Sequence, residues 1–542
     1  MPFQIDRRSL LLTGTFGLGA FLTPGFARAM SVLGMAGFTH SVASGEPSSD
    51  SLLFWTRYVP ADGDAVHLRV EASETENFAR IAGGGVQITG AWRDHTAKIT
   101  VTGLKPATRY FYRFIAPDGT RSPVGLSKTL PVGPVRRFGL AIFSCTNMPF
   151  GYFNAYAHAA ARDDIDLAIH LGDYLYEYAK GGYAPPGGPV GGRWPEPDGE
   201  MIHLADYRLR YASYRSDPDL QELHRVKPML VQWDDHESAN DSWEGGAQNH
   251  QPATEGDWSA RKAAAMQVFR EWMPVSETPW GTYDIGTLAT LFRTDSRLAA
   301  RSHQASIASL LMSPDPARAL VEFRDGAWQD PAVTMLGTEQ EAWLAHAMRA
   351  SVRAGQRWQI AAFGTIMGKM RSPEEAVSWL KPDASPRVKA YVSAGVAAGK
   401  LGLPMEFDNW GGYPAARARF LKSAQGMGAN LVVICGDSHN AWAFDLGQDG
   451  KPAGVEFAGH AVTSPGYESE TAVDPKLVAA ALVQANPELK WCDTSRRGYM
   501  ATTLTPEKAS NDWVLMDTVR ERTTRSSVGH SATVTRGRNV MG

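Results

Sequence analysis

The chain has 542 residues, 43% hydrophobic and 20% charged, with a formal charge of −3 and a pI near 6.5. That length exceeds one compact core and predicts two domains with elaborations, and the composition is that of a globular protein, not a disordered or fibrous one. The charge gives no global attraction to nucleic acid or an anionic membrane, so no nucleic-acid-binding module is expected.

Residues 1–29 read as a targeting segment. Arg7-Arg8 precede an apolar run over 10–26 broken by small residues, and Ala27-Arg28-Ala29 supplies a small-residue cleavage pattern. The paired arginines resemble a twin-arginine signal, which implies the twin-arginine export machinery and a periplasmic or secreted protein. An ordinary secretory signal or a retained anchor is the alternative. No later stretch approaches ~20 apolar residues, so no transmembrane segment is expected in the mature protein.

From 38 to about 134 the chain shows short alternating runs rich in β-branched and aromatic residues, at 51–58, 65–72, 97–101 and 110–116, separated by Gly, Pro and Asp. GLKPATRYFYRF reads as the turn and strand of a fibronectin- or immunoglobulin-like β-sandwich with Tyr110, Tyr112 and Phe114 on one face. Pro131-Val132-Gly133-Pro134 is the expected linker to a second domain over 137–542. There strands and helices alternate: FGLAIFSC, LAIHLGD, MLVQWDDHE, TLATLFRTDSR, RWQIAAFG and, as a final core strand, NLVVICGDSH. Helices are expected at 154–162, 206–215, after Asp257, from Thr338 and over ARARFLKSAQGM. The pattern predicts an α/β fold with a sheet covered on both faces. The Gly/Pro-dense stretch 180–200 cannot be regular structure, and is either a surface insertion or an active-site lid.

Four of these strands end in side chains that bind metals. AIFSCTN ends in Cys145, with Asn147 two residues on. IDLAIHLGDYLYEY ends in Asp173, with Tyr176 three residues on. VQWDDHE supplies Asp234, Asp235, His236 and Glu237, and ICGDSHN supplies Asp437 and His439. Singly, each has a structural explanation: a turn Asp, or a hydrogen-bonded core histidine. Four in one α/β domain gather such groups at one sheet edge. Cys435, inside LVVIC, reads as a small core residue, and three cysteines cannot form a disulfide framework. Thiolate, phenolate, carboxylate and imidazole together suit Fe3+. Carboxylates and carbonyls suit a harder divalent ion, Ca2+, Mn2+ or Mg2+. Two such cations need a bridging anion, for which Asp173 is the candidate, and the pair is the equipment of phosphoester hydrolysis.

The layout resembles the calcineurin-like metallophosphoesterases, whose fold is an αββα sandwich, and the Gly-Asp-x-x-Tyr form is similar to the tyrosinate variant of purple acid phosphatases. More closely, FTHSVASGEP, SLLFWTR, FSCTN, HLGDYLYEY, YRLRYASYRSDPDLQELH, WDDHESANDSW, DNWGGYPAAR, GDSH and RRGYMATTLTPE resemble, in order, the PhoD family of alkaline phosphatases and phosphodiesterases. The resemblance implies Cys145, Tyr176 and His439 as iron ligands, Asp173 as the bridge, and Asp235 and Asp437 on the second metal. It implies His236 as the catalytic group near the leaving oxygen, as acid or oxyanion stabiliser. Asn147 and Asn240 would contact phosphate or support the site. The reaction implied is hydrolysis of phosphomonoesters, phosphodiesters or both by metal-bound hydroxide, with a small phosphate ester or a phospholipid as substrate.

The chain departs from the family at Thr365, where Gly-Asn-Gln is common, and at His460, where a small apolar residue is expected. His460 is read as a packing residue, with a place in a modified substrate pocket as the alternative. The alternative from another class is a non-catalytic binding protein on a decayed scaffold; the full ligand set argues against it.

Overall fold

The computed structural model describes Leu33 and residues 36–542; the expected targeting segment over 1–29 lies outside the described residues. Short runs of Val, Ile, Leu and Ala form the parallel centre of two sheets. In the first, Phe138–Phe143, Leu167–His170 and Met229–Val231 lie side by side, every residue buried. In the second, Ala289–Arg293, Trp358–Ala362, Leu431–Cys435 and Lys451–Ala458 run parallel. Strands covered on both faces have no reason to alternate with polar residues. Leu140, Ile142, Ile169 and Leu230 of the first sheet meet Leu291, Ile360, Val432, Ile434 and Phe457 of the second in a shared core.

Helices close the outer faces. Asn154–Ala160, Leu204–Arg215 and Trp258–Trp272 cover the first sheet; Gly337–Arg353, Pro414–Met427 and Pro475–Ala485 cover the second. The result is the α/β, αββα arrangement with an N-terminal β-sandwich. Inside that sandwich Phe54, Leu68, Val70, Ile99, Tyr110, Tyr112 and Phe114 share one core, so the three aromatics do lie on one face. Its first sheet is one end of the nine-stranded sheet that contains Phe138–Phe143: Gly37–Gly45, Ser51–Val59 and Thr96–Thr102 are the last three of the nine strands, with Gly45 paired to Met229. Its second sheet is four-stranded and includes Ile81–Thr89 and Gly125–Lys128. The sequence did not predict these two strands, because Gly83-Gly84-Gly85 removes the side chains that signal one of them.

The expectation that Leu431–Cys435 is the final core strand is overturned: six strands follow it. Ala441–Gln448 and Leu489–Asp493 extend the second sheet, and Gly498–Leu504, Lys508–Met516 and Ser526–Thr535 extend the first beyond Phe138–Phe143. These outer strands are antiparallel and mix polar with apolar residues, as in the first half of Lys508–Met516, so they lack the continuous apolar run of the centre. TLATLFRTDSR forms the expected strand over Ala289–Arg293, which also pairs in a hairpin with Gly281–Ile285. The carboxyl ends of both sets of parallel strands lie along one edge, and the loops that follow them converge there.

Candidate metal centre

The loop after Phe138–Phe143 and the loop after Leu167–His170 are tied together: the Cys145 and Thr146 amides donate to the carbonyls of Gly172 (3.2 Å) and Asp173 (2.8 Å). Gly172 has φ 112°, and a Cβ there would lie 2.4 Å from the Asp234 backbone nitrogen, so the turn that delivers Asp173 needs glycine. Cys145, Asp173, Asp437 and His439 all have left-handed φ, between 54° and 65°. Non-glycine residues held there are sparse and cluster where function requires it.

The four strand ends meet. Ligand atoms of Cys145, Asp173 and His439 lie within 4.8 Å of one another; so do those of Asp173, Asp235 and His236, and those of Asp173, Asp234, Asp235 and Asp437. The Tyr176 hydroxyl donates to Asp173 Oδ2 at 3.2 Å and lies 2.9 Å from His439 Nε2 and 2.7 Å from Ser464 Oγ. His439 Nδ1 is held by the Pro465 carbonyl at 2.8 Å, leaving Nε2 toward the centre. Asp173 thus belongs to both a thiol–phenol–imidazole set and an acid-rich set.

The electrostatics show what this arrangement requires. Burial, reinforced by Asp235 and Asp234, pushes the Asp173 carboxyl well up, and burial with Asp234 does the same to Asp437. Burial and the Asp173 charge push the Cys145 thiol well up, and burial pulls the His439 imidazole down to about 3, keeping it neutral. Asp173 Oδ1 is buried without a hydrogen-bond partner among the described residues. A bound cation relieves each of these penalties at once. The residues present therefore fit a two-cation site, with the soft and phenolic donors on one side and carboxylates on the other.

Around the acids stands Arg297. Its guanidinium bonds Asp234 Oδ1 at 2.6 Å and Asp408 Oδ2 at 2.5 Å, and lies 3.5 Å from Asp437 and 3.8 Å from Asp235. Arg301 holds the other Asp408 oxygen at 2.6 Å. Glu237 ties the loops: it accepts from the amides of Asp173, Tyr174 and Asp234. His236 Nδ1 lies 2.6 Å from Glu177 Oε2. Burial opposes charge on His236, yet Asp235, Glu177 and Asp173 outweigh it and favour the imidazolium.

Two family models match the chain. Residues 140–513 match that of the PhoD-like phosphatases, and residues 26–131 match the N-terminal domain of the same family. The chain belongs to the PhoD-like phosphatase family. It is 31% identical over 508 residues to alkaline phosphatase D of Bacillus subtilis, covering 89% of this chain and 78% of that one. A solved PhoD structure superposes with a TM-score of 0.76 at 29% identity, over 94% of this chain and 92% of that one. A purple acid phosphatase from yellow lupin seeds shares the fold, with a TM-score of 0.53 at 14% identity over 92% and 75% of the two chains. As a PhoD-like phosphatase the chain is a hydrolase whose fold family implies metal dependence.

The other expected residues of this PhoD-like phosphatase fall as follows. Asn147 is buried, two residues past Cys145, and its Nδ2 has no partner among the described residues. The Asn240 side chain donates to Gln248, and its amide supports Glu177 at 2.8 Å. Thr365 is fully buried with an unpartnered hydroxyl, in the loop whose Gly364 carbonyl receives the Gly436 amide. His460 is buried; its Nε2 lies 3.1 Å from the Val514 carbonyl, and burial holds it down to about 4, the behaviour of a neutral packing residue. Cys435 is a buried free thiol donating to Glu456 at 3.1 Å.

The 180–200 stretch folds back on the site. Arg210, buried beneath it, donates to the carbonyls of Tyr176, Tyr178, Glu196, Pro197 and Gly199, fixing both ends of the stretch to the metal-bearing turn. Its Tyr183 ring stacks toward His439 at 6.5 Å between centroids and meets Tyr176 at 5.6 Å. Sequence reasoning placed Asp234 and Glu237 among the metal-binding side chains without a role for either, and gave no site role to Asp408, Arg297, Ser464, Glu177 or Tyr183. Asp234 and Glu237 stand in the WDDHE run; Arg297 closes TDSR just past a strand, the one signal that could have found it.

Proposed function

We propose that this protein is an exported phosphoesterase with a mixed two-metal site: Fe3+ held by Cys145, Asp173, Tyr176 and His439, and Ca2+, or Mn2+ or Mg2+ in its place, held by Asp173, Asp235 and Asp437. The observation that carries this reading is Asp173, whose carboxylate atoms fall within 4.8 Å of both the Cys145–His439 and the Asp234–Asp235–Asp437 sets. When bound, such a pair of cations supplies Lewis acidity, binds the phosphoryl oxygens and makes water nucleophilic at neutral pH.

The chain supplies the rest. His236, oriented through Nδ1 by Glu177, presents Nε2 as a proton donor to the leaving oxygen. Asn147, with its free buried Nδ2, donates to a phosphoryl oxygen, where charge grows in the transition state. Asn240 supports the site by fixing Glu177 rather than by touching substrate. Tyr183 and the Arg210-fixed stretch shield one side from bulk water. Residues 1–29 support export by the twin-arginine route to the periplasm or beyond, the N-terminal sandwich is the domain over 38–134, and the phosphoesterase domain is 137–542.

The test is turnover of p-nitrophenyl phosphate and bis-p-nitrophenyl phosphate by natively exported protein, with its metal content measured in parallel. Turnover with one iron and at least one divalent ion per chain supports the reading; metal-loaded protein inert on both esters contradicts it. His236→Ala should lower turnover ~10²- to 10⁴-fold with the metals retained; loss of metal would make His236 a ligand instead.

A further inference from the structure

A cavity of about 370 Å³ opens beside the metal centre and shares a wall with it, formed by Asp437, Ser438 and His439. Elsewhere its walls come from segments that carry none of the proposed ligands, including the helix Pro386–Lys400 and the short helical turns Glu374–Trp379 and Tyr467–Ser469. Trp379, Val388, Met405 and Tyr467 make the surface largely apolar. Besides Asp437, its charged side chains are Glu406 and Glu470, both acids, and among the described residues no lysine or arginine lines it. His236 is not part of its wall.

Such a cavity is unsuited to a phosphate, whose oxygens belong with the cations and with Asn147. An apolar, acid-edged wall accepts an uncharged group and repels an anionic one. An organic substituent of the ester is what remains to fill it. Because the proposed proton donor to the leaving oxygen is absent from this wall, the substituent placed here is the one that stays on phosphorus. Size narrows the choice further. A cavity of roughly 150 Å³ accommodates benzene, so this one has room for a ring system or a short alkyl chain, but not for a pair of long acyl chains.

Resting on the phosphoesterase reading above, we propose that this cavity is the subsite for the retained ester group, and that the substrate is a phosphodiester carrying an uncharged aryl or short alkyl substituent. In the reaction the oxygen of water bonds to phosphorus, the bond from phosphorus to the leaving oxygen breaks, and the proton passes to the departing alcohol. The ester bond to the group in the cavity stays intact, and the product is a monoester that still carries it.

The experiment holds the leaving group constant and varies the retained one. The substrates are p-nitrophenyl phosphodiesters whose second group is methyl, hexyl, phenyl or 3-carboxypropyl, given to the metal-loaded full chain. The cavity predicts a rise of about tenfold or more in kcat/KM from methyl to hexyl or phenyl, carried by KM, and a value for carboxypropyl no better than for methyl. Val388→Trp, which fills the cavity from a half-buried position on an outer helix, and Trp379→Ala, which strips its wall, should each collapse the hexyl-to-methyl ratio. A flat series in the natural protein overturns the proposal, as does a ratio that survives Val388→Trp. A dispersed phosphatidyl ester cleaved faster than the hexyl ester would also overturn it.

Calorimetric titration with hexylphosphonate and methylphosphonate reads the same cavity without turnover. About tenfold tighter binding of the hexyl compound supports the subsite and equal affinity overturns it. Failure of the phosphoesterase reading looks different: no ester of the series is hydrolysed, while the titration still reports on the cavity.

Discussion

The two sides of the metal centre handle charge in opposite ways. On one side stand Cys145, Tyr176 and His439. Among the described residues no lysine or arginine hydrogen-bonds the side chain of any of them; the side-chain partners of Tyr176 and His439 are Asp173, Ser464, Tyr183, the Pro465 carbonyl and each other. On the other side Asp234, Asp437 and Asp408 crowd around Arg297, with Arg301 behind. Burial makes the thiol and phenol of the first side hard to ionise, so only a strongly charged cation overcomes the penalty. The second side already has part of its charge balanced by a guanidinium, and a divalent ion has less to supply. The contrast is a physical reason for the two different metals proposed above.

Removing the thiolate is the severest way to break this contrast. Cys145→Ala should release iron and lower turnover by at least ~10³-fold, since a metal supplies several kcal/mol of transition-state stabilisation; metal analysis and kinetics with bis-p-nitrophenyl phosphate check it. Arg297→Met should instead act on stability. Leaving buried carboxylates unpaired costs about 3–5 kcal/mol, and the loss should be largest in chelator and partly restored by calcium, read as the shift in the urea midpoint. If calcium rescues nothing, the guanidinium and the divalent ion do not share a task.

A third test separates acid attack on the centre from acid attack on its support. His460 lies outside both ligand sets and is held down to about 4 against an ordinary value near 6.5. The unfolded chain therefore binds that proton more readily than the folded one between these values. The contribution of neutral His460 is full above about pH 6.5 and is lost as pH falls toward 4, worth about 3 kcal/mol. His460→Asn should flatten the fall in stability across that window relative to the natural protein; an unchanged slope would mean the imidazole is not held neutral. The smallest effect is expected from Glu177→Gln, which leaves both ligand sets in place and only loosens His236. Turnover should drop ~10- to 100-fold, more for alkyl than for p-nitrophenyl leaving groups, with metal content unchanged.

How much of this was legible in the chain follows from where each residue sits. Cys145, Asp173, Asp235, Asp437 and His439 come directly after apolar strands, and a strand that runs into a polar end announces its own loop. The fold class followed from the same runs. Arg297 was hidden because TLATLFRTDSR was read as one strand running through it, whereas the strand ends at Arg293, and Asp408 because it precedes a helix, far in sequence from every strand it serves. Glu177 follows Tyr176 directly, yet it points to His236 through a contact 59 residues away. Ser464 and Tyr183 reach the site only because loops cross it. The outer antiparallel strands were missed for a related reason: polar residues fill some of their buried positions, as Thr502 and Asn511 do by bonding each other, so no continuous apolar run marks them.

Iron K-edge X-ray absorption on the purified, natively exported protein tests the central claim most directly. A centre in which Cys145 and Tyr176 share one iron predicts a sulfur neighbour in the first coordination sphere that disappears in Cys145→Ser, and a visible phenolate-to-iron band that disappears in Tyr176→Phe. An iron surrounded only by nitrogen and oxygen in the natural protein, or a spectrum identical in both variants, would contradict it.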